Sequence, residues 1–129
     1  MKKKSSFPPF AIGIDLVYIK RFIQYKRKED RGFLKKIFSS REIQYCFSKQ
    51  NPSQHLAVRF AAKEAIIKAL SSNGQIHLAL NEIEILSSSG KSPKVYLPHP
   101  ISNIFIALSL AHEKDYAIAT ALLYKSELS

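Results

Sequence analysis

The sequence predicts an α+β fold: a long central helix packed against a small antiparallel sheet, with N-terminal helices ahead of it. Three observations predict it. Residues 51–70 read as one long helix, Ala- and Leu-rich and apolar over most of its circumference. Helical patterns precede that stretch, and strand patterns follow Gly74. The late strands are joined by a hairpin turn and a tight polar connection.

The chain opens on Met1-Lys2-Lys3-Lys4-Ser5-Ser6-Phe7-Pro8-Pro9, read as a flexible basic extension (1–9) ahead of a single domain spanning 10–129. Asp15 interrupts the following apolar run too soon for a signal peptide. Phe10 to Ile14 reads as a buried strand delivering Asp15 at its end, with Gly13 allowing another backbone to approach closely. An Asp in that place is often only the cap of the next helix, expected here over Leu16–Lys28 with a thin apolar stripe of Val17, Ile19, Phe22 and Ile23. A short helical piece follows at Phe33–Phe38. The next helix runs to about Lys49, opened by Ser39 and Glu42 at capping-box spacing. Asn51 is placed to cap the dominant helix, with Pro52 where its missing N–H costs nothing. Ser71-Ser72-Asn73-Gly74 ends it. Asn81–Leu86 alternates polar and apolar as a strand, and pairs as a hairpin with Lys94–Leu97 across Ser87–Pro93. Ile104–Leu110 and Tyr116–Leu123 form two further strands around the polar connection Ala111-His112-Glu113-Lys114-Asp115.

Four charges interrupt the dominant helix. Glu64 and Lys68 lie about 40° apart on one face, and Arg59 and Lys63 form a second such pair. On an ordinary helix these are surface ion pairs worth a few tenths of a kcal/mol. This helix is too apolar to have much free surface, which places the charges along a cleft.

The 129 residues suffice for one domain with a modest core. The formal charge of +10 points to a polyanionic partner. Twelve of the 20 Lys and Arg residues lie in the first 41 positions, against only Asp15, Glu29 and Asp30 as acids. The basic surface is therefore local. Cys46 is the single cysteine, which excludes an intrachain disulfide and a cysteine-based zinc site and fits residence in the cytoplasm. No stretch is long enough to span a bilayer, so no membrane is expected as a partner. There is no phosphate-binding P-loop, no dinucleotide fingerprint and no nucleophile paired with a base. The scattered Tyr and Phe residues read as packing, not as a base-stacking platform.

Asp15 and Glu64 together can hold Mg²⁺, which takes one or two carboxylates and fills its other positions with water and phosphate. Lys68, one turn beyond Glu64, can neutralise a phosphate oxygen. Gly90-Lys91 on the hairpin turn can clamp another phosphate, and His112 is available as a donor or proton carrier. The set suits transfer of a phosphate-containing group.

Three stretches carry a resemblance to a known family. Ile12-Gly13-Ile14-Asp15-Leu16-Val17-Tyr18-Ile19-Lys20-Arg21-Phe22 is similar to G-[IL]-D-[IL]-x-x-[IL]-x-R-[IL]. Arg59-Phe60-Ala61-Ala62-Lys63-Glu64-Ala65-Ile66-Ile67-Lys68-Ala69 resembles R-F-A-x-K-E-A-x-x-K-A. Leu108 to Ala119 resembles S-x-[ST]-H-x-x-x-Y-A-x-A. These are the motifs of the holo-acyl-carrier-protein synthases, within the 4′-phosphopantetheinyl transferases, and the likeness runs from about Phe10 to Tyr124.

The resemblance implies the phosphopantetheinyl transferase fold and transfer of the 4′-phosphopantetheine arm of coenzyme A to a serine of apo-acyl carrier protein, in support of fatty acid biosynthesis. It implies catalytic roles for Asp15, Glu64 and Lys68, with Asp15 and Glu64 holding Mg²⁺. It implies a coenzyme A cleft formed with Arg59, Lys63, Lys68, Gly90, Lys91, Pro93 and His112. The base stays open between Glu64 acting through a metal-bound water and metal-assisted ionisation of the serine. Lys20, Arg21, Lys26 and Lys28 would dock the acidic carrier, and a homotrimer would place clefts between subunits. Tyr18 stands where many members have Glu, Ile67 replaces a common Ser, Ala111 replaces Ser or Thr, and Ser92 lengthens the Gly-Lys-Pro turn. An active enzyme with a retuned coenzyme A cleft is expected. The alternatives are a degenerate module that binds the carrier without modifying it, and a basic nucleic-acid-binding domain, whose usual recognition motifs are absent.

Overall fold

The computed structural model describes residues 9–72, 77–87, 92–98 and 103–126; the expected basic extension falls almost wholly outside them. Strand β1 (Phe10–Tyr18) leads through a 3₁₀ turn (Ile19–Phe22) to helices α1 (Arg31–Ile37), α2 (Ser40–Phe47) and α3 (Pro52–Ser71). A second 3₁₀ turn (Leu80–Glu82) precedes β2 (Glu84–Leu86) and β3 (Lys94–Tyr96), and the chain closes with β4 (Ile104–His112) and β5 (Tyr116–Lys125). β5 lies between β1 and β4 in a three-stranded antiparallel sheet, and β2–β3 is a separate antiparallel hairpin. The α+β expectation holds. No described helix is long and apolar enough to cross a membrane.

α3 lies across one face of the sheet. Ala61, Ala62, Ala65 and Ala69 on the helix and Ala117, Ala119 and Ala121 on β5 are all buried, and small side chains on both partners let the layers approach closely. Gly13 marks the tightest crossing: a Cβ there would stand 1.8 Å from the Ala65 carbonyl oxygen and 2.9 Å from the Ala69 nitrogen. The close backbone approach expected at Gly13 is thus real. The other side of α3 buries Leu56, Phe60, Ile66 and Leu70. A helix covered on both sides has no polar face to spare, which is why its sequence is apolar nearly all round.

Several boundaries differ from the sequence expectation. The first strand does not stop at Ile14, and Asp15 is neither a strand end nor a helix cap. β1 runs on to Tyr18, with Asp15 opposite Ala119. The alternation that buries Ala11, Gly13 and Val17 passes straight through Asp15, and pairing along β5 sustains it. The helix expected over Leu16–Lys28 is only the four-residue 3₁₀ turn, which buries Ile19 and Phe22, three apart, and leaves the basic side chains out. Asn51 makes no side-chain cap, although Pro52 does occupy the first turn. Asn81 and Glu82 belong to a 3₁₀ turn, not to β2. His112 ends strand β4 instead of lying in the turn, which Glu113 N–H closes onto the Tyr116 carbonyl at 2.8 Å. The Ser39–Glu42 capping box is present as expected.

Candidate active site

β1 carries Asp15, half-buried, on the face that α3 covers. Lys68, near the C-terminal end of α3, donates from Nζ to Asp15 Oδ1 at 3.1 Å and to the Ile14 carbonyl at 2.8 Å. Glu64 precedes Lys68 by one turn on the same helix face, where such neighbours stand about 5–6 Å apart at Cβ. Glu64 is half-buried and has no hydrogen-bond or ion-pair partner among the described residues. The structure thus brings Asp15 and Lys68 into contact, with Glu64 one turn before Lys68, although the local structure under Asp15 differs from the sequence expectation.

Among the described residues no group of three or more His, Cys, Asp and Glu side chains is assembled for a metal. Two carboxylates neighbour Lys68: Asp15, one oxygen of which the ammonium engages, and Glu64, one turn before it on α3. Those hard oxygens match the small protein share of a Mg²⁺ shell, whose other positions go to water and phosphate. The donor set fits that ion.

A second cluster gathers at the N-terminal half of α3. Arg59 is 4% exposed and stacks its guanidinium 4.3 Å from the Tyr45 ring centroid. Its Nη1 donates to the His55 carbonyl and its Nη2 to Ser87 Oγ, both at 3.3 Å, while its buried Nε has no partner among the described residues. Lys49 Nζ lies 4.7 Å from the same ring centroid, and His55 meets the ring edge-on. His112 Nε2 lies 3.0 Å from Gln54 Nε2. Burial first, and then Arg59, Lys49 and His112, hold the His55 imidazole below its ordinary pKa of 6.5. The unfolded chain therefore binds the extra proton first as pH falls below 6.5. His55 should contribute stability that is complete above that pH and lost as pH falls to its folded pKa. Thermal midpoints between pH 5 and 7 should show this slope for the wild type and less of it for His55→Gln; equal slopes would refute it. An anion beside these cations, at the positive end of a 20-residue helix, would relieve the repulsion.

The two clusters sit toward opposite ends of α3. Gln54, which holds His112, and Lys68 are separated by about 20 Å along the axis at roughly 1.5 Å per residue.

Lys63 lies in neither cluster. The expectation that it lines a ligand cleft is corrected by its position: it is 0% exposed, and its Nζ donates to the Ile37 carbonyl at 2.8 Å, Glu42 Oε1 at 2.5 Å and the Leu80 carbonyl at 3.0 Å. All three ammonium protons are used inside the core. Pro93 is half-buried ahead of β3, and Gly90 and Lys91 lie outside the described residues.

Of the basic residues expected to meet an acidic partner, Lys20, Arg21, Lys26 and Lys28 are all exposed. Arg21 lies 4.9 Å over the Phe60 ring. Lys28 lines a pocket of about 430 Å³ with Arg27, Arg31, Lys35, Ser40 and Ile43. Gln54, Tyr45 and Glu42 were not singled out as site residues from sequence. Only Glu42 carried a signal, its capping-box spacing, and that signal concerned its local role alone.

A family model described as the 4′-phosphopantetheinyl transferase superfamily matches residues 11–121. A holo-[acyl-carrier-protein] synthase of Thermodesulfovibrio yellowstonii is 44% identical over 113 residues, covering 88% of this chain and 96% of that protein. One from Chlamydia trachomatis serovar D is 42% identical over 118 residues, covering 88% and 98%. Among solved structures, the Chronobacterium ammoniagenes ACPS–CoA complex is similar with a TM-score of 0.75 and 29% identity, over 92% of this chain and 98% of that one. The Helicobacter pylori holo-[acyl-carrier-protein] synthase in complex with coenzyme A gives 0.68 and 32%, over 87% and 98%. With a family model spanning most of its length and full-length relatives well above 30% identity, this chain belongs to the 4′-phosphopantetheinyl transferase superfamily.

Proposed function

We propose that this chain is a holo-[acyl-carrier-protein] synthase, which transfers the 4′-phosphopantetheine arm of coenzyme A to a serine hydroxyl of an acidic apo-acyl carrier protein. The observation that carries the reading is the Asp15–Lys68 pair with Glu64, which has no partner among the described residues, one turn before Lys68, in a chain whose relatives bear that name. The serine oxygen bonds to the β-phosphorus of coenzyme A while the phosphoanhydride bond breaks, and adenosine 3′,5′-bisphosphate leaves. Lys68 meets the charge of the pyrophosphate. Glu64 holds the proton that the serine gives up. Asp15 and Glu64 would hold Mg²⁺, which when bound supplies a positive charge at the pyrophosphate. Arg59 and His112, with Pro93 and the undescribed Gly90 and Lys91, complete the coenzyme A cleft. Lys20, Arg21 and Lys28 dock the carrier's acidic surface.

Intact mass of apo-acyl carrier protein after incubation with this protein, coenzyme A and Mg²⁺ tests the reading. A gain of one phosphopantetheine arm, lost on chelation, is expected. No gain with carriers that bind tightly would leave only the carrier-binding module.

The cleft is assembled between copies of the chain, as a homotrimer in the cytoplasm. Two observations support this. The separation of His112 from Lys68 along α3 leaves one chain's set of ligands divided. The sheet face turned away from α3 exposes Ile12, Ile14 and Leu16 on β1, Leu122 and Tyr124 on β5 and Phe105 on β4, and Ile12 is 62% exposed. An apolar surface of that extent on a folded chain marks an association face. Light scattering should give three chains per particle for the wild type and one for Ile14→Asp, with transfer lost in the monomer. A monomeric, fully active wild type would refute the shared cleft.

A further inference from the structure

Lys63 and Glu42 form a buried ion pair at the meeting point of five elements, and the elements that it joins are unusual. Lys63 is on α3 and reaches the last residue of α1, the first turn of α2 and the 3₁₀ turn at Leu80. Glu42 spends its other oxygen, Oε2, on the backbone N–H of Ile85 in β2, at 2.8 Å. Ile85 sits opposite Val95 of β3, and its N–H, given to Glu42, faces away from that partner strand, as it does in a non-hydrogen-bonded antiparallel pair. A carboxylate therefore does for the free edge of β2 what a third strand would do.

The rest of α2's first turn grips the same strand. Ser39 Oγ donates to Glu84 Oε2 at 2.6 Å, and Arg41 pairs with the Glu84 carboxylate. Just past β2, Ser87 receives a hydrogen bond from Arg59. The chain of contacts thus runs from Lys63 through Glu42 to β2, and from the end of β2 back to Arg59 one turn earlier on α3.

We propose that Glu42 and Lys63 are positioning residues that set where the β2–β3 hairpin stands against α3, and with it the aim of the Arg59 guanidinium into the coenzyme A cleft. Neither touches coenzyme A. The inference rests on the cleft assigned under Proposed function, but only for its kinetic readout. The hairpin placement stands on geometry alone.

The test uses the full chain in its native assembly. In Glu42→Leu/Lys63→Met the buried site carries no charge and stays close to its volume, so the variant folds without an unpaired ion, and the Ile85 N–H loses its side-chain acceptor. Hydrogen exchange at the Ile85 amide is expected to quicken by at least tenfold. The KM for coenzyme A should rise about tenfold, while the KM for the carrier stays within twofold. A folded double variant with unchanged Ile85 exchange and unchanged coenzyme A KM overturns the proposal, since the pair would then be only packing. A second measurement needs no variant. In the wild type, the Lys63 ammonium signal in nitrogen-detected NMR should not shift on adding coenzyme A, whereas a shift as large as that of Lys68 would make Lys63 a direct ligand and end the positioning role. If the wild type transfers no arm, the functional reading fails, and the exchange arm still decides the placement of the hairpin.

Discussion

Glu64→Ala should abolish transfer and leave the fold alone. The side chain is half-buried and has no partner among the described residues, so its removal orphans nothing. Ala is the best helix former, and Glu64 lies inside α3. Stability should change by less than about 0.5 kcal/mol, as for other substitutions that break no contact. The rate is another matter. A positioned proton acceptor contributes about 10²–10⁴-fold, and the same residue is half of the proposed magnesium set. A fall in kcat of at least about 10³-fold is expected within that range. Single-turnover rates with saturating coenzyme A and Mg²⁺, beside a urea melt, measure both quantities. A variant that keeps a tenth of the wild-type rate would remove Glu64 from the chemistry. Glu64→Gln separates shape from charge: it should be as inactive as the Ala variant.

Glu42→Leu should be the most destabilising single change at the base of the hairpin. It leaves the Lys63 ammonium buried at 0% exposure with no carboxylate and strands the Ile85 N–H. Burial already holds the Lys63 ammonium below its ordinary pKa, with Glu42 the main influence pulling it back up. Removing one member of a buried pair costs about 3–5 kcal/mol. Against a total stability of about 5–15 kcal/mol, that is a large share. Arg41→Ala supplies the contrast. That side chain is 65% exposed, and solvent screens its pairing with Glu84, so its loss should cost far less. Urea midpoints for the two variants check the ordering. A Glu42→Leu protein as stable as Arg41→Ala would mean that the pair contributes nothing net.

The neighbouring Cys46 thiol takes no part in chemistry on this account. Burial pushes its pKa up to about 12, so no thiolate forms at neutral pH.

Glu64 and Lys68 were legible because helical periodicity is local: four residues along α3 put them on one face whatever surrounds it. The capping box at Ser39–Glu42 was legible for the same reason. Leu16–Lys28 misled because Val17, Ile19, Phe22 and Ile23 satisfy a helical stripe loosely, while the same residues up to Tyr18 also alternate as a strand. Pairing with β5 decided between the two, and β5 lies a hundred residues away in sequence. Lys63 misled because a helix wheel gives the angle of a side chain and not what faces it.

The sequence by itself determined the α+β class, the dominant helix and the hairpin, and it put Glu64 and Lys68 on one helix face. Each depends on short-range periodicity or on motifs whose spacing survives any packing. Only the tertiary structure decided that Asp15 rides mid-strand into contact with Lys68, and that Lys63 serves the core while Arg59 stacks on Tyr45. Only it left one whole face of the sheet bare. Those outcomes depend on which elements meet across long stretches of chain, where burial, charge pairing and hydrogen bonding are settled jointly and no local pattern carries the result.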